Sequence, residues 1–382
     1  MIVNFFGDLN LNQRNTNLSF SNRLNDLMNS GSFNVVNLEG PIIRNQSEYS
    51  QAFKSGPNIY NTGNVLELLQ KMKVKVVSLS NNHTMDYGEK CARATIEELN
   101  KIGITSCGYA IDNKNKSSYS IVSENGLELC FVSVSEIEWG GATDTRPGVK
   151  SFCIEDLAAD ITSLSSIYDG VVVLFHGGLE YSSVPSLKMV KQLRYIADCG
   201  AKLIVCHHTH VINGFENWNG TPIYYGLGNF IFEGKDKGHA WRQGIIVNAF
   251  FDEHANVSVK TYIAESDKSY SSVDLLPFDN LIYNRFEKLS ENFNCDLVIS
   301  SKWAEHNDTQ KHLNISTISP LNAIGNRYLR YFLKILGFNR FIFTKRYIAF
   351  LLVILRNESI RASIIHTLEK ELGNDNENST RK

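Results

Sequence analysis

The sequence predicts an α/β fold with substantial parallel or mixed sheet. Three observations carry that prediction. Short β-branched apolar runs recur along the chain, each about four to eight residues long and closed by turn residues, as buried strands are. Helical periodicity fills several of the intervals between them. Polar side chains able to ligate metals fall directly after the runs, and ligands in such sheets sit beyond the carboxyl ends of strands.

The first run covers residues 2–6 and stops at Gly7-Asp8. Phe33–Leu38 stops at Glu39-Gly40-Pro41, and Val74–Ser80 stops at Asn81-Asn82-His83. Leu129–Val134 is a fourth run. Gly170–Phe175 stops at His176-Gly177-Gly178, Leu203–Cys206 stops at His207-His208, and Thr221–Gly228 ends at Asn229. Helices are expected at Asn64–Val74, with Val65, Leu68, Leu69 and Met72 on one side, and at Ala92–Ile102, with Ile96, Leu99 and Ile102. A third is expected at Ser186–Cys199, where Leu187, Val190, Leu193 and Ala197 follow the same period.

The character changes after about residue 270. The expected organisation is a main domain over 1–270, a polar connecting segment over 271–320, a helical basic and apolar extension over 321–372, and a disordered tail over 373–382.

Composition sets outer bounds. The 382 residues are 43% hydrophobic and 20% charged, enough to bury a sizeable core. A net charge of −2 gives no global field for tracking phosphates, so nucleic acid is not an expected partner. The seven cysteines are odd in number and scattered, which fits reduced thiols in a reducing compartment. The start MIVNFFGDLN lacks the pattern of a secretory signal, and the longest apolar stretch, Ile348–Leu355, is far short of the ~20 residues that span a bilayer. A cytoplasmic location is expected, with peripheral contact at the inner membrane face.

Five of the ten histidines fall at strand ends: His83, His176, His207, His208 and His210. The same ends supply Asp8, Glu39, Asn82 and Asp86. Imidazole and carboxylate together suit Mn, Fe, Zn or Co better than Ca or Mg alone. A bridging carboxylate is what a two-metal phosphate-cleaving site needs. On an extended loop, His208 and His210 would point the same way and address one site. Each residue also has a plainer use. Asp8 and Glu39 can serve turns, Asn82 can cap a following helix, and Asp86 can orient His83.

The segments GDLN at 7–10, NLEGP at 37–41, SNNHTMDYG at 80–88, HGGLEY at 176–181, HHTHV at 207–211 and GLGNFIF at 226–232 follow one another in this order. Together they resemble the CapA, or poly-γ-glutamate capsule synthesis, family, a branch of the calcineurin-like metallophosphoesterases. FKSGP at 53–57 resembles that family's Lys-containing loop, and the likeness covers about residues 1–265. The resemblance implies a four-layer α/β/β/α sandwich with a metal site at the edge of its two sheets. It implies Asp8, Glu39, Asn82, His176, His208 and His210 as ligands of one or two divalent ions, and His83, oriented by Asp86, as the catalytic acid. Lys54, Glu180, Tyr181, His207 and Asn229 would line the substrate pocket.

Departures from the family patterns occur in three of these motifs. Asn10 occupies the position where the wider superfamily has the His of Asp-x-His, and the bridging residue is Glu39 rather than Asp. The final motif has Cys206 for Gly and Thr209 for Pro. The implied activity is a metal-dependent hydrolase acting on a phosphoester or a capsule polymer. The alternative is a non-catalytic accessory protein that works with capsule-assembly proteins. Residues 327–356 hold seven Lys or Arg and no Asp or Glu among many aromatic and aliphatic residues. This stretch is expected either to pack as a helical pair or to lie on an anionic membrane surface.

Overall fold

A computed structural model of the chain describes residues 1–12, 18–54, 56–110, 119–136, 139–234, 237–310 and 326–345, with isolated positions beyond 318. It divides into two compact units, Met1–His306 and Asn307–Lys382. The first begins with β1 (Ile2–Asn10), β2 (Ser19–Phe20), α1 (Asn22–Ser30), β3 (Phe33–Leu38) and β4 (Ile42–Ile43). Then come β5 (Asn61–Thr62), α2 (Asn64–Lys71), β6 (Val74–Ser78), α3 (Gly88–Lys101), β7 (Thr105–Cys107) and β8 (Tyr109–Ala110). The middle holds β9 (Tyr119–Glu124), β10 (Leu127–Ser135), β11 (Gly148–Val149), α4 (Ile154–Ser165), β12 (Gly170–His176), α5 (Leu187–Asp198) and β13 (Ala201–His207). Next are β14 (Phe215–Trp218), β15 (Thr221–Tyr224), β16 (Asn229–Phe232), α6 (His239–Arg242), β17 (Gln243–Phe251) and β18 (Val257–Ser266). The series ends with β19 (Ser272–Leu275), α7 (Leu281–Glu291) and α8 (Asp296–Thr309).

One sheet runs β2-β19-β18-β17-β1-β3-β6-β7, with β16 also paired to β1; the other runs β14-β15-β13-β12-β10-β9. Their facing sides share one core, in which Phe5, Phe33, Val35 and Val76 meet Leu129, Phe131, Val172 and Leu174. Phe131 links the layers directly, 6.3 Å from Phe5 and 6.0 Å from Phe33 between ring centroids. On the far side of the first sheet, Phe6, Val36 and Val77 pack with Leu24 of α1, Leu69 of α2 and Leu99 of α3. On the far side of the second, Val171, Val173 and Ile204 pack with Ile161 of α4 and Leu193 of α5. The result is the expected α/β/β/α sandwich. Strands buried on both faces explain the largely apolar runs, and each fully buried Val, Leu or Phe contributes roughly 1.5–3 kcal/mol.

The strand ends hold the main differences from expectation. β1 does not stop at Gly7 but continues to Asn10, because its last residues gain a second partner in β16 through Asp8↔Asn229 and Leu9↔Ile231. The run expected at Thr221–Gly228 divides into β15 and a turn before β16. The antiparallel pair β17–β18 is an addition to the expected strands. Val257–Lys260 alternates apolar with polar residues, but Thr261-Tyr262 breaks the alternation, so the segment carries only a weak strand signal. α5 begins where expected, capped by the Ser186 hydroxyl accepting from the Met189 N–H. The first unit continues past residue 270, because β19 pairs with β18 and α7 supplies Ile282, Tyr283 and Phe286 to the inter-sheet core.

In the second unit, a helix covers Arg327–Ile335, capped by Asn326. Tyr328, Leu329, Tyr331, Phe332 and Ile335 on it are exposed. The tail 373–382 and most of 346–372 lie outside the described residues. No helix among the described residues is long and apolar enough to cross a membrane.

Candidate metal centre

Asp8 sits near the end of β1, where the backbone of β16 crosses close by. A Cβ at Gly7 would lie 2.0 Å from the Gly228 carbonyl oxygen, so glycine is required there. The same carbonyl accepts from the Asp8 N–H at 3.0 Å. The fully buried Asp8 carboxylate accepts from Asn37 Nδ2 at 2.8 Å and from the His208 N–H at 3.1 Å.

Glu39 follows β3, anchored by its N–H to the Leu9 carbonyl at 2.9 Å. Asn10 and Asn61 donate their amides to the Glu39 carbonyl at 2.8 and 3.1 Å. Asn10 thus braces the β3 exit, which gives the unusual residue at this position a structural use. The buried Glu39 carboxylate faces His83 Nε2 at 3.8 Å and His210 Nε2 at 3.7 Å.

The loop after β6 is organised by Asn81. Its side chain accepts from the His83 N–H and the Thr84 hydroxyl, and donates to the Leu38 carbonyl at 2.9 Å. Asn82 does not cap a helix, since α3 starts only at Gly88. Its Oδ1 lies 3.2 Å from His176 Nε2 instead. His83 Nδ1 is 2.6 Å from Asp86 Oδ2. A carboxylate only accepts, so Nδ1 carries the hydrogen and Nε2 is turned toward Glu39. Asp86 also accepts from the Ile59 N–H and forms an ion pair with Lys54. The Lys54 ammonium, placed in the substrate pocket by the resemblance, is buried against Asp86 and the Asn82 carbonyl.

His176 is the last residue of β12, and His207 the last of β13. Asn37 Nδ2 lies 3.3 Å from His176 Nδ1, so this one amide bridges Asp8 and His176. His207 Nε2 donates to the Phe6 carbonyl at 3.2 Å, tying the second sheet to β1. His208 and His210 are not extended. Their φ values of 89° and 57° are left-handed, a strained choice for non-glycine residues and one found at functional sites. The turn still brings both rings inward. His208 lies 4.8 Å from the His176 ring, and His210 Nδ1 lies 3.5 Å from Asp8 Oδ2. Asn229 orients His210, accepting at 2.9 Å from Nδ1 while donating to the Trp241 carbonyl.

Ligand atoms of Asp8, Glu39 and His176 lie within 4.8 Å of one another, and all three residues are buried. Two buried carboxylates this close repel unless positive charge neutralises them. A nitrogen-and-oxygen donor set of this kind fits a divalent ion such as Mn, Fe or Zn. Burial, then the neighbouring His208, His207, His210 and His83, holds His176 well below the usual imidazole range. Burial also lowers His207 and His210, against the pull of Asp8. Neutral imidazoles are the form that ligates.

The mouth of the centre is aromatic. Tyr181, left-handed at φ 63°, donates its N–H to the Thr209 carbonyl. Its ring stacks 6.0 Å from Trp241, which lies 4.8 Å from the His210 ring. Glu180 lies beside Tyr181 and raises its phenol, second to burial.

Sequence reasoning passes over Asn37, Asn81, Trp241 and Lys237. Asn37 and Asn81 stand inside the quoted segments NLEGP and SNNHT, so position flags them while side-chain type does not. Trp241 and Lys237 follow the last segment and carry no signal.

The family described as bacterial capsule synthesis protein PGA_cap matches residues 4–234, the span that carries every ligand candidate. The PGA biosynthesis protein CapA of Bacillus subtilis (strain 168) is 34% identical over 202 residues, 52% of this chain and 52% of that protein. The capsule biosynthesis protein CapA of Bacillus anthracis is 27% identical over 203 residues, 52% of this chain and 49% of that protein. The chain thus spans about half the length of the curated relatives it matches. A solved structure, a hypothetical protein from Thermus thermophilus, gives a TM-score of 0.46 at 17% identity, covering 70% of this chain and 100% of that one. With more than half of its length matched, the chain belongs to the bacterial capsule synthesis protein PGA_cap family.

Proposed function

We propose that the chain is a metal-dependent hydrolase, phosphoesterase-like in chemistry, acting in capsule or poly-γ-glutamate biosynthesis. The observation that carries this is the His83–Asp86 pair set beside the Asp8, Glu39 and His176 cluster, with His83 Nε2 turned toward Glu39. Asp8, Glu39 and His176 would hold the ion, with Asn82, His208 and His210 completing the shell. A bound divalent ion supplies Lewis acidity toward a phosphoryl or acyl oxygen and acidifies a water.

The chain's own groups do the rest. Asp86 accepts from the His83 Nδ1–H, so Nε2 is the atom that would take up a proton from solvent and then pass it to a leaving group. Lys54 balances the charge of Asp86 and keeps the loop in place. Asn37 orients Asp8 and His176 together. The substrate would be a phosphoester or a capsule polymer, and capsule-assembly proteins are the partners this reading implies.

One observation favours a second reading, an accessory role without turnover. Asn10 stands where the wider superfamily has a histidine and so offers no imidazole for a second ion, while its Nδ2 donates to the backbone carbonyls of Glu39 and Tyr60. Turnover of bis(4-nitrophenyl) phosphate by metal-loaded protein separates the two. His83→Ala should retain its metal and lose about 10²- to 10⁴-fold in kcat, the usual worth of a positioned acid. Full activity in that variant removes the role of His83. Absence of turnover on phosphodiesters and on capsule polymer alike favours the accessory reading.

A further inference from the structure

Lys237 stands at the mouth of the centre on a built platform. Its Nζ lies 3.9 Å from the Trp241 ring centroid and 4.7 Å from that of Tyr181. It donates to the Tyr181 hydroxyl at 2.6 Å. An exposed lysine ordinarily spreads over many rotamers, and fixing one costs conformational entropy. Here two ring faces and a phenol fix it in advance. The platform is itself anchored. Trp241 is buried, donates its indole N–H to the Phe232 carbonyl at 3.4 Å, and packs 4.8 Å from the His210 ring. His210 in turn faces Glu39 at 3.7 Å. A single aromatic residue therefore separates a prepositioned ammonium from the candidate ligands.

The surrounding charge gives that cation a purpose. Glu180, beside Tyr181 and Lys237, would repel an anionic substrate at the mouth unless positive charge offsets it. Burial lowers the Lys237 ammonium somewhat from its ordinary range, against the opposing pull of Glu180. An ammonium has three donors, and Tyr181 takes one.

We propose that Lys237, oriented by Tyr181 and Trp241, is an anion subsite that takes one carboxylate or phosphate group of a ligand lying across the metal centre. The second half of that statement rests on the hydrolase reading; the anion binding itself does not. Simple packing of the lysine stem on two rings is the competing account. It predicts no dependence of ligand affinity on the charge.

The test is a tryptophan-fluorescence titration of the full chain as purified, with and without a chelator. Two probes are used, glycerol 2-phosphate and a γ-linked glutamate trimer. Wild type should bind at least one saturably. Lys237→Gln should weaken that binding at least tenfold, about 1.4 kcal/mol. Lys237→Arg should stay within a few-fold of wild type, and Tyr181→Phe should fall between. Binding of the trimer alone marks a carboxylate subsite, and binding of glycerol 2-phosphate alone marks a phosphate subsite. Equal affinities in wild type and Lys237→Gln, or no saturable binding of either probe, overturn the proposal. Saturable anion binding by a metal-loaded wild type that turns over neither phosphodiester nor capsule polymer would leave this subsite standing and strike the catalytic reading instead.

Discussion

Gly7 and Asp8 act as a pair, one clearing space that the other uses. The Gly228 carbonyl occupies the volume a Cβ at position 7 would need. Gly7→Ala should therefore push β16 away and shift Asp8, Asn229 and His210 together. The expected outcome is a loss of several degrees in thermal midpoint along with weaker metal binding, read by thermal unfolding and metal titration. An unchanged midpoint and metal affinity would mean that β16 does not approach as described. Asn37→Leu makes a complementary case. It is nearly isosteric but removes the amide shared by Asp8 and His176. A metal-affinity loss of about 10- to 100-fold is expected, as for other orienting partners of ligands. The candidate ligands are legible in the sequence because His, Asp and Glu are side chains that ligate metals, and each stands at or directly after the end of an apolar run. Asn37 and Asn81 are not. An asparagine at such a position looks like any turn residue until its partners are known.

The strands and helices that carry the centre are legible for one reason: burial on both faces writes a strand as an unbroken apolar run. β12 follows that rule throughout and β13 from Leu203 to Cys206, while β3 keeps the buried Asn34 and Asn37 among its apolar residues and β6 carries the exposed Lys75. β16 does not follow it, because its role depends on a contact with β1 made more than two hundred residues away in sequence. The HxH pair converges through two left-handed residues rather than through strand alternation, so both rings reach the centre by a different route from the one expected. The helix Arg327–Ile335 makes a separate prediction. Arg327, Arg330 and Lys334 recur on one side, while Tyr328, Phe332 and Ile335 recur on another and are exposed. An anionic lipid surface suits that pattern, with roughly 1 kcal/mol expected for each basic residue near it. The full chain should sediment with phosphatidylglycerol vesicles but not with phosphatidylcholine vesicles, and deletion of 321–382 should abolish this. Equal sedimentation after the deletion would contradict the expectation.

The sandwich as a whole converges loops from both sheets on one buried cluster. Asp8 and Glu39 come from the first sheet, and His176, His208 and His210 from the second. An ion held by both should tie the sheets together, so metal binding and folding stability should be coupled. Saturating the site at a hundredfold over its dissociation constant should add about 2.7 kcal/mol. Chelation should accordingly lower the thermal midpoint of wild type and leave that of Asp8→Ala almost unmoved. The most direct test of the central claim is elemental analysis of the purified full chain beside Asp8→Ala and His208→Ala. The account predicts one or two equivalents of Mn, Fe or Zn in wild type, lost in both variants while the fold is kept. Metal retained in full by both variants, or none taken up by wild type under any reconstitution condition, would contradict it.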